Sequence, residues 1–225
     1  MEYEILQTGS SGNGTIINGH VLIDCGISFK KVQPYIRGLD LVLLTHIHGD
    51  HFRASTVKEL HRQRPTLRFG CFAWMAGALR AAKIDERCID IYDAGYDYIY
   101  RFSRTYTVRG FPLVHNVENC GYIITEAGES VLYATDTGSM EHITARDLDL
   151  YLIEANHSEA EIEARAAEKL EAGEYSYEAA AAVNHLSKEK ALEWLSKNMG
   201  PRSKYVFMHQ HVDREAIPLN AEPDN

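Results

Sequence analysis

One short segment constrains the fold more than any other part of the chain: Thr45-His46-Ile47-His48-Gly49-Asp50-His51. It places three imidazoles and one carboxylate within six consecutive residues, directly after a mostly apolar run at residues 39–44. A buried strand that ends in a short turn would bring all four side chains to one edge of a sheet. Neutral imidazole nitrogens and carboxylate oxygens are ligands for Zn²⁺, Mn²⁺ and Fe, so the segment predicts a metal site.

The composition limits the class of partner. The chain has 225 residues, of which 45% are hydrophobic and 24% are charged, and this is typical of one globular domain spanning residues 1–225. The net charge of −9 disfavours broad binding to long nucleic acid or to anionic membranes. A small anionic substrate is still compatible, because bound divalent metal ions reverse the local charge.

The cysteines indicate a reducing compartment. None of the four belongs to a C-x-x-C pair, and no secretory leader opens the sequence. We therefore expect buried, reduced thiols in a cytoplasmic protein. No apolar stretch approaches the length of a membrane span. The cysteines are Cys25, Cys71, Cys88 and Cys120.

Three further candidate ligands follow apolar strands later in the chain, namely His115, Asp136 and His209. Residues at strand ends on one edge of a sheet sandwich converge in space, so these residues are expected to join the first cluster. Two metal ions about 3.5–4 Å apart would form a clamp for hydrolysis and would lower the pKa of a bound water toward ~7. His211 is an alternative to His209, which directly follows the strand.

Several local patterns leave their interpretation open. The Gly-rich loop at residues 9–14 is either a hairpin connection or a cradle of backbone N–H groups near an anion. Asp24 either orients a histidine or forms a turn before Gly26. Ser55 and Ser187 are expected to be N-caps, of helices at residues 56–64 and 188–198 respectively.

The region at residues 92–109 is rich in tyrosine and predicts two strands, with another strand at residues 111–115. We expect its tyrosines to lie on a strand surface or in a dimer contact rather than to form a base-stacking platform. These residues are Tyr92, Tyr96, Tyr98, Tyr100 and Tyr106.

The H-x-H-x-D-H run, followed in order by a histidine, an aspartate and a histidine, resembles the metallo-β-lactamase fold superfamily. The resemblance covers nearly the whole chain, and it implies an α/β fold, an αββα sandwich of two mixed β-sheets flanked by helices. By position it implies one ion held by His46, His48 and His115. It implies a second ion held by Asp50, His51 and His209, with Asp136 bridging both. Zn²⁺ fits these two sites, and Mn²⁺ is an alternative.

The C-terminal third is similar to tRNase Z-type phosphodiesterases. Glu154-Ala155-Asn156 resembles their H-E-A-T segment, and His185 stands at the position of their H-S-T segment. The resemblance implies that Glu154 orients His185, which then protonates the leaving oxygen. Asp50 is expected to position the attacking water, and His157 is a candidate phosphate contact. The alternative is that His185 only starts the helix beside the Ser187 cap.

Other segments are closer to two compact groups of this superfamily, the bacterial WalJ-like proteins and the phage and prophage anti-Pycsar phosphodiesterases. The anti-Pycsar group hydrolyses cyclic nucleotides, and its similarity to tRNase Z homodimers implies a homodimer here. A phage-encoded member would act in the host cytosol against Pycsar signalling. The sequence shows no inserted exosite arm of the kind that holds tRNA in tRNase Z.

We therefore expect a dinuclear, metal-dependent phosphodiesterase that hydrolyses 3′,5′-cyclic nucleotides (cCMP, cUMP, cAMP and cGMP). The main alternative is a WalJ-like or tRNase Z-like nuclease acting on DNA or RNA ends. A catalytically silent metal-binding regulator is disfavoured by the complete ligand set. A thioester or lactone hydrolase is disfavoured by the Glu154–His185 pair, because such substrates need less help at the leaving group.

Overall fold

The computed structural model describes residues 1–171 and 182–210, and their strands form two six-stranded sheets. The first sheet contains, in spatial order, β1 (Tyr3–Gln7), β2 (Gly14–Ile17), β3 (Val21–Ile23), β4 (Leu41–Leu43), β5 (Arg68–Phe72) and β6 (Ile89–Tyr92). The second contains β7 (Asp97–Arg101), β8 (Thr105–Leu113), β9 (Asn119–Glu126), β10 (Glu129–Ala134), β11 (Leu150–Glu154) and β12 (Lys204–Met208), also in spatial order.

Both sheets are mixed. In the first, β1, β2 and β3 pair antiparallel, and the remaining neighbours pair parallel. In the second, β7 to β10 pair antiparallel, and β10, β11 and β12 pair parallel. Parallel strands deliver their C-terminal ends to one edge, and this is the arrangement that the candidate ligands require.

Helices cover the outer faces of both sheets. They are α1 (Phe29–Val32), α2 (Ala54–Gln63), α3 (Ala73–Ala81), α4 (Glu159–Glu171) and α5 (Lys188–Asn198). Two short 3₁₀ turns occupy Gln33–Tyr35 and Glu86–Cys88. No helix in the described part of the chain combines the length and the apolar composition that crossing a bilayer requires.

Three buried apolar layers hold these elements together. Strand β4 contributes to two of these layers. Val42 packs toward the helices on the first sheet, whereas Leu41 and Leu43 pack between the two sheets. A strand buried on both faces must be apolar throughout. This explains the apolar run directly before residues 45–51, which we call the metal segment. The third layer packs Leu195 of α5 against the outer face of the second sheet, beside Ile153. The predicted αββα sandwich is confirmed.

The two predicted N-caps have different outcomes. Ser187 caps α5, and its hydroxyl accepts a hydrogen bond from Lys190 N at 3.2 Å. Ser55 is not a cap, because α2 begins at Ala54 with Arg53 in the cap position. A tertiary contact sets this start: Arg53 N–H donates to Cys25 O at 3.1 Å and fixes the chain before the helix.

The prediction for the tyrosine-rich region is wrong for three of its side chains. Tyr92, Tyr100 and Tyr106 are buried between the sheets rather than placed on a surface. Two of the hydroxyls find polar partners, since those of Tyr92 and Tyr100 bond to each other and Tyr100 also donates to Asp90 at 2.9 Å. Residues 111–113 of the strand predicted at 111–115 belong to the single long strand β8, and residues 114 and 115 follow its end.

The four cysteines are buried and unpaired, as expected. Burial raises the pKa of the Cys71 thiol to about 12, and it raises the pKa of Cys25 and Cys120 well above the usual value. These thiols are therefore apolar core groups rather than nucleophiles.

Candidate metal centre

Strand ends of both sheets bring the predicted ligands together in two adjoining groups. The first group contains His46, His48 and His115, and the second contains Asp50, His51, Asp136 and His209. Within each group, one donor atom of every residue lies within 4.8 Å of the others. The rings of His46 and His51 are centred 4.2 Å apart, so the two groups adjoin each other.

In the first group, three ring nitrogens converge on one point. His48 Nδ1 lies 3.1 Å from His46 Nε2 and 3.3 Å from His115 Nε2. Burial lowers the pKa of His46 to about 2, and it also lowers the pKa of His115. Neutral imidazoles are the form that binds metal, so these nitrogens fit a divalent ion.

In the second group, carboxylates surround two buried rings. His51 Nε2 lies 2.8 Å from Asp136 Oδ2 and 3.6 Å from Asp50 Oδ2. His209 Nε2 lies 3.5 Å from Asp50 Oδ2 and 3.6 Å from Asp136 Oδ1. Within the described residues, His209 Nε2 is buried without a hydrogen-bond partner, although two carboxylate oxygens lie 3.5 and 3.6 Å from it. Such an orphaned nitrogen beside two carboxylates fits a bound cation.

The electrostatics of this group favour positive charge. Burial alone would lower the pKa of His51, but Asp136 and Asp24 together raise it well above the usual value. Burial also opposes charge on His209, yet its contacts with Asp50 and Glu154 raise its pKa to about 10. The same carboxylates that hold protons on these rings would hold a metal ion in their place.

A polar contact orients the second nitrogen of four of these rings, as is usual for histidine ligands. Hydrogen bonds join His46 to Thr45 Oγ1 (3.0 Å), His51 to Asp24 Oδ2 (2.7 Å) and His115 to Asn184 O (3.1 Å), and an ion pair places His209 3.2 Å from Glu154 Oε1. In each case the bonded atom is Nδ1, so Nε2 is the atom that can bind metal.

Asp24 contacts and orients a histidine, which is the first of the two roles expected for it. Its fully buried carboxylate accepts hydrogen bonds from His51 Nδ1 and from the backbone N–H of Thr45, at 2.7 and 3.0 Å. The residue also adopts a left-handed backbone with φ of 62°, as do Asp136 at 58° and His209 at 50°. Non-glycine residues rarely adopt this conformation, and they concentrate at functional sites.

Asn13 is a site residue that the sequence did not reveal. The loop at residues 9–14 joins the antiparallel strands β1 and β2, and within it the Asn13 amide reaches the metal segment. Asn13 Nδ2 lies 2.8 Å from His51 Nε2, and Asn13 N–H donates to Asp50 O at 2.6 Å. An asparagine between two glycines is also an ordinary turn residue, so its spacing carried no distinct signal.

Glu154 and His185 lie in contact beside the second group. Glu154 is fully buried at the end of β11, and its Oε1 accepts a hydrogen bond from His185 Nδ1 at 2.7 Å. Its Oε2 accepts from the backbone N–H groups of Thr137 and Leu186. Burial alone would lower the pKa of His185, but Glu154 raises it above the usual value. These two residues also form a third cluster of possible ligands with Asp136 and His209.

Two other sequence expectations have different outcomes. His157 is 6% exposed, burial lowers its pKa, and its backbone pairs with Ser187. Its role as a phosphate contact stays a prediction. His211 lies outside the described residues.

Comparison with known proteins gives a family and a fold. Residues 20–210 match the family model described as a beta-lactamase superfamily domain. The sequence matches none of the curated proteins. The metallo-beta-lactamase fold protein YhfI from Bacillus subtilis is 15% identical over 92% of this chain and 85% of its own, with a TM-score of 0.67.

Two further solved structures share the fold. The short form of human tRNase Z is 15% identical over 93% of both chains, with a TM-score of 0.64. A diphosphatase from the PhnP family is 16% identical over 92% of this chain and 85% of its own, with a TM-score of 0.60. Together, the family match and the clustered donors support the prediction of a metal-dependent hydrolase.

Gly26 offers a test of how the metal segment is held. A Cβ at this position would lie 1.7 Å from Asp50 O and 2.6 Å from His51 N. We expect Gly26→Ala to displace Asp50 and His51, and to lower both the content of bound divalent metal and thermal stability. Metal per chain is measured by plasma mass spectrometry, and Tm by calorimetry.

Gly77→Ala is the matched control, because a Cβ at Gly77 in α3 meets nothing within 4 Å. Alanine is also favoured over glycine in a helix by about 1 kcal/mol, so this variant should keep its metal and its stability. Wild-type metal content in Gly26→Ala would show that the close approach does not position the ligands.

Proposed function

Because the chain belongs to the beta-lactamase superfamily and a carboxylate–imidazole pair adjoins its candidate metal centre, we propose that it is a phosphodiesterase that hydrolyses 3′,5′-cyclic nucleotides. The 2.7 Å contact between Glu154 and His185 carries the proposal. Cleavage of a ribose phosphodiester expels an alkoxide, and such a poor leaving group needs a general acid.

The donor set fits two divalent ions, which we propose to be Zn²⁺, with Mn²⁺ as the alternative. The three histidines of the first group would hold one ion. Asp50, His51 and His209 would hold the other, and Asp136 would bridge them. When bound, such ions lower the pKa of water and stabilise negative charge on the phosphoryl oxygens.

In this proposal, Asp50 would orient the attacking water. Burial alone would raise the pKa of its carboxyl, but the contact with His209 lowers it below the usual value. The ionised carboxylate can therefore accept a hydrogen bond from water and direct its lone pair toward phosphorus. Its side chain keeps 22% exposure, so water and substrate can reach it.

In this proposal, His185 would protonate the leaving oxygen. Its Nδ1 is engaged by Glu154, so Nε2 is the atom that can donate a proton as the bond between phosphorus and the 3′-oxygen breaks. Glu154 fixes the ring orientation and favours its protonated form. The carboxylate is itself held by two backbone N–H groups, which keeps the pair rigid.

The charge of the protein favours a small substrate. The chain carries 32 acidic and 23 basic residues, whereas binding along nucleic acid depends on many Lys and Arg contacts to phosphates. A cyclic nucleotide carries one phosphodiester, which the cationic centre alone could neutralise. Hydrolysis of cyclic nucleotides would also suit a counter-defence role against Pycsar signalling.

A nuclease acting on DNA or RNA ends is the second candidate. The likeness to human tRNase Z over 93% of both chains favours it, because the shared fold is compatible with RNA cleavage. Both candidates use the same centre and the same acid pair, so they differ only in substrate.

A substrate panel distinguishes them. The zinc- or manganese-loaded protein is incubated with cCMP, cUMP, cAMP, cGMP, a linear dinucleotide and labelled oligonucleotides, and products are separated by chromatography. We expect conversion of cyclic nucleotides to 5′-monophosphates, lost in His48→Ala and kept in His142→Ala, whose exposed ring bonds to the backbone oxygen of Pro112. Shortened oligonucleotides with intact cyclic nucleotides would favour the nuclease instead.

The acid role of His185 can be tested by comparing two substrates with different leaving groups. We expect His185→Ala to keep its metal but to lose ~10²–10⁴-fold in rate on a cyclic nucleotide, the usual worth of a general acid. The loss should be much smaller on bis(p-nitrophenyl) phosphate, because p-nitrophenolate leaves without protonation. Equal losses on both substrates with unchanged metal content would contradict the assignment.

A further inference from the structure

Strand β7 forms an open edge of the second sheet. It pairs with β8 along one side, and no other strand in the described ranges pairs with its outer side. The backbone N–H and C=O groups along such an edge can pair with another strand, so natural proteins usually cover or disrupt it.

The sequence of this edge is symmetric about Ile99. From residue 96 to residue 102 it runs Tyr-Asp-Tyr-Ile-Tyr-Arg-Phe, with aromatic residues at alternate positions. An acid stands two residues before Ile99, and a base stands two residues after it. An antiparallel copy of this segment would therefore place opposite charges and aromatic rings across from each other.

The structure exposes the side chains that such pairing would use. Tyr98 and Tyr100 turn inward, whereas Asp97, Ile99 and Arg101 lie on the outer, exposed face. The large apolar side chains at the centre and at both ends remain in solvent: Tyr96 is 68% exposed, Ile99 50% and Phe102 42%.

We propose that a second copy of the chain pairs antiparallel along β7, with a two-fold axis through Ile99, so that the two sheets become continuous. Asp97 then lies opposite the partner's Arg101, and Tyr96 lies opposite the partner's Phe102. The two Ile99 side chains meet at the axis. Cross-strand pairs of these kinds stabilise antiparallel strands, whereas like charges in the same positions destabilise them.

The charges at this edge are arranged for such a partner. Asp97 already accepts hydrogen bonds from Arg109 on β8, at 2.9 and 2.7 Å. The ion pairs found among the described residues do not include Arg101, so its guanidinium is available to a partner's carboxylate. A second copy is favoured over an unrelated protein, because only self-pairing uses the symmetry of the segment.

The proposed interface is small. Stable complexes usually bury about 1,200–2,000 Å² in total, and two paired segments of residues 96–102 bury less than this. We therefore expect a reversible dimer with a Kd of roughly micromolar order rather than an obligate one.

The test is a charge exchange between two variants, measured by sedimentation velocity of the full-length, zinc-loaded protein from about 1 to 300 μM. Asp97→Lys and Arg101→Asp should each be monomeric, because each places two like-charged pairs across the axis. A 1:1 mixture should form a heterodimer, since both pairs are then of opposite charge. Lys204→Asp, a charge reversal at an exposed position of β12 on the other edge of the sheet, should dimerise like the wild type.

Circular dichroism confirms that each variant is folded. A wild type that stays monomeric across this concentration range would overturn the proposal. A folded Arg101→Asp variant that dimerises like the wild type would also overturn it, as would a mixture that stays monomeric.

Discussion

The hydrogen bond between Asp24 and His51 is the contact on which the candidate centre depends most. Both side chains are completely buried, and they lie 2.7 Å apart. The bond joins the end of β3 to the segment that follows β4, and it turns the Nε2 atom of His51 toward Asp136. Burying a carboxylate in the core is costly without hydrogen-bond partners, and Asp24 has Thr45 as well as His51.

The second sheet must meet this segment for the site to be complete. Tyr122 donates its hydroxyl hydrogen to Leu44 O at 2.6 Å, and Cys120 Sγ lies 3.4 Å from Thr45 O. Strand β9 is thereby fixed against the metal segment from across the sandwich. The neighbouring strands β8 and β10 then deliver His115 and Asp136 to the same cleft.

The centre concentrates buried ionisable groups whose pKa values are shifted in opposite directions. His46 is held neutral by burial, whereas the carboxylates beside His51 and His209 keep those rings charged in the absence of metal. Like charges and orphaned donors in such a space are costly without a cation. Metal binding should therefore stabilise the folded chain, in addition to its role in catalysis.

The sequence predicted the elements whose signal is local. Candidate ligands that directly follow apolar strands, such as His209, could be recognised from the sequence alone, and so could the Ser187 cap. The family resemblance supplied the αββα sandwich and the pairing of Glu154 with His185. Both depend on contacts between distant residues.

Features fixed by tertiary contacts could not be predicted in this way. The start of α2 is set by a bond from Arg53 to Cys25, and the inward tyrosines are decided by packing between sheets. Asn13 acts through a residue 38 positions away in sequence. Alternation of apolar and polar residues shows that a strand has two faces, but it does not show which face another sheet will cover.

Anomalous diffraction from crystals of the zinc-loaded protein tests the two-metal centre most directly. We expect two peaks about 3.5–4 Å apart. One should lie among the rings of His46, His48 and His115, the other beside His51 and His209, with Asp136 between them. A single ion bound by Glu154 and His185 would contradict the account, because those residues would then be ligands rather than the acid pair.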